Sequence, residues 1–237
     1  MARALWFAVL AAGLAVGVFS LAVARAGAGY SFGGASAGAG AAELGAGYAL
    51  LGVGLAAWMR PRQARLGAIL VAASFAWFLL EWNNPAAGSA FVFTIGLVLY
   101  AAAPPLVAHA MLAYPDGRVG WWLGRLGLAL GYAGSVLVLG LLAAAVFDPA
   151  AWGCAQCPRN LLLVDGGSSG AYGSLNRAGM YLGLTWSVLL ILLAAAGLAT
   201  AGGWVTRRLR RAPVVGEARS AVPARPRELV EMRERLA

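Results

Sequence analysis

The stretch FVFTIGLVLYAAAPPLVAHAMLAYPDGR, residues 91–118, decides the fold class. It is an apolar run of the length that carries a helix across a bilayer, for which roughly 20 residues suffice. Pro104-Pro105 interrupts it, His109 is the chain's only histidine, and Tyr114-Pro115-Asp116-Gly117-Arg118 closes it. Proline has no N–H to donate, so the carbonyls of Tyr100 and Ala101 lose their helical partners and the segment is predicted to bend there. The closing pentapeptide is a turn by composition, because Pro presets φ, Asp bonds the backbone ahead of it and Gly tolerates positive φ.

Working outward, five further runs share the apolar pattern without the breaker or the histidine. They cover residues 5–24, 44–59, 66–80, 126–147 and 180–201. None alternates with the period of two that marks a strand, and lipid offers no water to unpaired backbone groups, so helices are expected. The expectation is an all-α, polytopic membrane helix bundle of about six transmembrane helices. Composition agrees. The chain is 61% hydrophobic and only 11% charged, against roughly 25% charged in ordinary soluble domains, which leaves too little polar surface to cover a soluble globule of 237 residues.

The net charge of +9 comes from eighteen basic residues, all Arg. They sit between the apolar runs rather than on one face, which argues against nucleic acid as a partner and for a role in setting topology. With the N-terminus cytoplasmic, fifteen arginines fall on the cytoplasmic side and Arg25, Arg159 and Arg177 on the other. By the positive-inside rule both termini are then cytoplasmic, and the loop of residues 148–178 faces outward in a multi-pass cell-membrane protein. The first run also resembles a signal peptide ending at Ala22-Val23-Ala24. It is longer than a signal core of roughly 7–15 residues, so a retained helix is expected, and cleavage would leave the other spans' orientation unchanged. Residues 25–43, rich in Gly, Ala and Ser, read as a flexible loop.

The transmembrane domain spans residues 1–206, and residues 207–237 form a basic cytoplasmic tail. Arg207-Arg208-Leu209-Arg210-Arg211 is a stop-transfer cluster that also attracts anionic lipid. A linker with Pro213, Pro223 and Pro226 follows, then a short helix whose Leu229, Met232 and Leu236 share a face.

Few groups carry chemistry. His109 stands one turn after Pro105 near the inner end of its span. A titratable intramembrane group suggests a proton relay or pH switch, against the plainer reading that it snorkels to the interface or satisfies a backbone group. A single His cannot supply two axial imidazoles, so no haem is expected, and no other cofactor. Cys154 and Cys157 are the only cysteines. In an oxidising compartment they read first as a local disulfide, with a redox pair or, more weakly, a metal site as alternatives. Glu81 ends the third run and is expected to be solvated, with ligand or ion contact as the functional alternative. Trp82 and Asn160 are further candidate contacts on the outer face. No nucleotide-binding glycine pattern or HExxH metal motif is present, so no enzyme activity is expected.

Three blocks in order carry a resemblance. They are Glu81-Trp82-Asn83-Asn84-Pro85 running into 88–97; Pro104-Pro105-Leu106-Val107-Ala108-His109 with 112–118; and Cys154-x-x-Cys157-Pro158-Arg159-Asn160-Leu161-Leu162. Over residues 45–200 the chain resembles the membrane-embedded N-terminal input region of actinobacterial two-component sensor histidine kinases. The resemblance implies a non-catalytic sensory module. Pro104, Pro105, His109 and the turn from Tyr114 to Arg118 would form its signalling hinge, and the tail would engage a partner kinase or a dimer mate. After Arg211 the family pattern is lost, so a fragment, a truncated or frameshifted product, or a stand-alone homologue is expected. The competing readings are a thiol-redox membrane protein, which usually needs a second cysteine pair, and a small transporter, for which no inverted repeat or buried charge pair is evident.

Overall fold

The computed structural model describes residues 2–164 and 168–211 and, among these, only helices and their connections. Helix α1 (Ala2–Ala26) is followed by α2 (Ala37–Trp58) and α3 (Ala64–Leu79). Then come α4 (Ala90–Leu99), α5 (Ala103–Leu112) and α6 (Trp122–Tyr132). The last of these runs on through a π-helical segment (Ala133–Leu142) into α7 (Ala143–Val146). Helix α8 (Ser169–Arg211) belongs as far as Ile191 to a compact unit with everything before it. The second unit starts at Leu192, and its described part is helical.

Among the described residues, Ala4–Ala26, Ala37–Trp58, Ala64–Trp82 and Trp122–Val146 are each long and apolar enough to cross a membrane. The pair α4 and α5 adds a fifth candidate if it is counted as one broken span. The surface of these helices agrees with that reading. Phe7, Val18, Val53, Phe91, Met111 and Leu130 all point away from the bundle and stay exposed. A helix that is apolar outside as well as inside suits a lipid surround.

The connections gather at two ends. At one end, Val23, Ala87, Phe93 and Ala144 form a single buried cluster against which Phe147 and Cys157 pack. This is the loop end. At the other, the turn after α5 lies on the turn before α3, where Gly117 adopts φ +76° beside Arg65 and Leu66. Between the ends, α2 and α3 cross at glycines. A Cβ on Gly67 would stand 2.3 Å from Trp58 N and 2.6 Å from Gly54 O, so the two backbones touch only because no side chain intervenes. Ser74 Oγ, fully buried, donates to Gly47 O at 2.8 Å and ties the same pair together.

The structure differs from the sequence reading in several places. Helix α2 starts at Ala37 rather than 44, because Ser36 caps it by accepting the Ala39 N–H at 3.0 Å; the expected loop of residues 25–43 is therefore helical over its last part. Pro104 and Pro105 do not kink one helix but open a second. They occupy the first turn of α5, where the missing N–H groups have no intrahelical acceptor anyway, and α4 meets α5 at 46°. The run at 126–147 begins at Trp122 and contains ten π-helical residues that no sequence signal announced. The run at 180–201 lies within α8, which starts at Ser169, and the cluster Arg207 to Arg211 ends that helix. The Pro-bearing linker and the short helix expected near the C-terminus lie outside the described residues.

Candidate functional site

Polar groups are scarce in this chain, so where they collect is informative. At the loop end, Ser20, Glu43, Glu81 and Asn84 are all buried, none exposing more than 5% of its surface. Each comes from a different stretch: Ser20 from α1, Glu43 from the second turn of α2, Glu81 from the 3-10 turn that extends α3, and Asn84 just beyond it.

Most of these groups are satisfied. Trp82 Nε1 donates to Ser20 Oγ at 2.8 Å, and its ring stacks edge-on against Phe19. Asn84 Nδ2 donates to Gly27 O at 3.2 Å, while Asn84 Oδ1 accepts from Ala86 N at 2.9 Å and caps the turn Pro85–Ala87. Trp77 Nε1 donates to the main-chain oxygen of Glu43 at 3.1 Å. The Glu43 carboxyl is the exception. Neither Oε1 nor Oε2 has a hydrogen-bond partner among the described residues, and the group it faces is the carboxyl of Glu81. Glu81 was expected to be solvated. It is 4% exposed instead, because the chain continues past α3 as a 3-10 turn that folds it inward. Glu43 was missed altogether, since it lay in a stretch read as loop. The signal that could have found it was Ser36 as an N-cap ahead of an Ala-rich run.

The cysteine-bearing loop is clipped to the bundle beside this cluster. Cys154 and Cys157 are joined as a disulfide, half-buried, in a turn that Gly153 closes at φ +76°. Asn160 makes the clip. Its Nδ2 donates to Ala144 O at 2.6 Å and Phe147 O at 2.8 Å, and its Oδ1 accepts from Leu162 N at 3.0 Å. The next residue reaches α4, where Leu161 N donates to Thr94 Oγ1 at 3.0 Å. Phe147, Trp152 and Tyr172 then pack ring to ring, joining the loop to the start of α8. Asn160 thus serves as an internal strut, with Oδ1 and Nδ2 all engaged, and not as an exposed contact.

The remaining candidates lie toward the other end. His109 Nδ1 lies 3.1 Å from the hydroxyl of Tyr132 at the end of α6. Tyr114, Pro115, Asp116, Gly117 and Arg118 form the turn, in which Asp116 Oδ1 accepts from Arg118 N at 3.2 Å and Gly117 N donates to Ala113 O at 2.7 Å. The helix break borders a cavity of about 200 Å³, lined by Pro104, Pro105, Gly134, Ser135 and Trp186 among others. Trp186 Nε1 donates to Gly127 O at 2.7 Å and holds α8 to α6 there.

The structure therefore brings Glu81, Trp82 and Asn160 to the loop end with the cysteines, and His109 and the turn toward the opposite end. Thr94, which accepts from Leu161 N, lies on α4, the helix that precedes the break at Pro104-Pro105. Among the described residues, no three His, Cys, Asp or Glu side chains converge as a metal-ligand set. Compared with known proteins, the chain matches no family model, no curated protein and no solved structure.

Proposed function

We propose that this protein is a non-catalytic, integral membrane sensory module of a two-component signalling system. It would cross the cell membrane six times, with both termini cytoplasmic and the cysteine loop outside. The observation that carries the reading is the strut from loop to hinge. Asn160 pins the loop to α7, and Leu161 bonds Thr94 on α4, whose far end breaks at the prolines into α5. A displacement of the loop pulls on α4, and the break lets α5 answer by rotating rather than by bending a continuous rod. His109 and Tyr132 then pass the movement to α6, and the turn from Tyr114 to Arg118 passes it to the α2–α3 connection. Such a switch needs a bistable element, and the break at Pro104-Pro105 is the candidate for it. The readout is a partner histidine kinase or a second copy of this chain, engaged on the cytoplasmic side.

The test is the phosphorylation state of the cell's response regulators. Deleting the gene, and separately replacing Asn160 with Ala, is expected to change the phosphorylation of the same response regulator. If neither change does so, or if the purified protein turns over added quinone through its cysteine pair, the sensory reading fails and the thiol-redox reading replaces it.

A further inference from the structure

Two carboxyls that face each other away from water require something between them. Glu43 is 5% exposed and Glu81 4%, and each is in direct electrostatic reach of the other. Burying one carboxylate costs free energy unless it is paired, and a second like charge adds to the cost. Among the described residues no cation pairs with the Glu43 carboxyl. Arg25, the basic residue on this end of α1, is exposed, and no donor among the described residues reaches either Glu43 oxygen.

The main chain closes directly on the Glu43 carboxyl. A Cβ on Gly33 would stand 1.6 Å from Oε2, and a Cβ on Gly34 would stand 2.1 Å from Ala24 O. The glycine pair therefore lets the connection between α1 and α2 close directly over the carboxyl and holds it against the end of α1.

We propose that Glu43 and Glu81 hold a hard divalent cation of the Ca²⁺ class, enclosed by the Gly33-Gly34 connection and the ends of α1–α3. Two carboxylates match the charge of such an ion, and each can bind through one oxygen or two. Backbone carbonyls and water are oxygen donors of the kind that completes an irregular shell of six to eight ligands. Softer metals do not fit. Both cysteine sulfurs are spent in the disulfide, and the one histidine is far along the chain on α5, bonded to Tyr132. The site stands independently of the sensory proposal, since the ion is held whether or not its binding is transmitted.

The indoles at the site provide the probe. Trp77 bonds the main chain of Glu43, and Trp82 adjoins Glu81. In the full chain purified in a zwitterionic detergent, Tb³⁺ substituted for Ca²⁺ is expected to show Trp-sensitised emission that Ca²⁺ competes away. The thermal midpoint is expected to rise on adding Ca²⁺ and to fall on adding a chelator. Glu43→Gln and Glu81→Gln should each lose both responses, while Asp148→Asn, at a carboxylate of the cysteine loop, keeps them. Wild-type protein that gives no sensitised emission and no shift with Ca²⁺, Mg²⁺ or Mn²⁺ would show that the two carboxyls share a proton instead, and would overturn the proposal. So would a response that survives intact in both glutamine variants. Wild-type protein carries the decisive measurement even if a variant does not fold.

Discussion

Replacing Asn160 tests how firmly the loop is held. The side chain is 2% exposed and makes three hydrogen bonds, two donated by Nδ2 to Ala144 O and Phe147 O and one accepted from Leu162 N. A hydrogen bond contributes about 0.5–1.5 kcal/mol net, and leaving its partner buried and unpaired costs about 1–3 kcal/mol. Asn160→Ala removes all three at once, and alanine supplies no other partner for Ala144 O. The loss is therefore about 2–4 kcal/mol, or roughly a hundredfold in the folded-to-unfolded ratio. Asn160→Asp is the sharper variant. It keeps the bond from Leu162 N but turns a carboxylate oxygen toward two carbonyl oxygens, so it should cost at least as much. The assay is equilibrium unfolding in detergent, with limited proteolysis of residues 148–162 as a local readout. If Asn160→Ala unfolds within about 0.5 kcal/mol of wild type and the loop stays protease-resistant, the strut is not holding the loop, and the coupling argument built on it is wrong.

Three further outcomes follow from other contacts. A double-mutant cycle on His109→Phe and Tyr132→Phe should give a coupling of about 0.5–1.5 kcal/mol, because each single change removes the same part-buried bond; additive losses would mean the pair does not interact. Gly67→Ala should destabilise the protein by about 1–3 kcal/mol, measured by the same unfolding assay, because the added methyl meets the backbone of α2, which cannot rotate away. Gly45→Ala is its control. A Cβ there meets nothing within 4 Å, so unfolding should change by no more than about 0.5 kcal/mol or be slightly stabilised by the better helix former.

The fold class was legible because its signal is long. Apolar runs near the length of a bilayer crossing, with arginines between them, leave few alternatives to a helical membrane bundle. The candidate site was only half legible. Leu161 and Thr94 meet across 67 positions in sequence, and no periodicity reports such a pairing. Glu43 was hidden by its neighbours. Gly, Ala and Ser are as common in loops as in closely packed helices, and only the cap at Ser36 separates the two here. Glu81 was misplaced because a carboxylate at the end of an apolar run ordinarily turns toward water, whereas the 3-10 turn Leu80–Trp82 rotates it into the bundle. The π-helical segment has no composition of its own, since it reads as the same apolar run in either register.

The orientation of the loop end tests the account most directly. Intact cells are treated with a membrane-impermeant reductant, then with a membrane-impermeant thiol reagent, and modification of Cys154 and Cys157 is read by mass spectrometry. The account predicts labelling in intact cells, because the proposed topology puts the loop outside and the two cysteines are half-buried rather than enclosed. Labelling only after permeabilisation would place the loop and its acidic cluster in the cytoplasm and contradict the account.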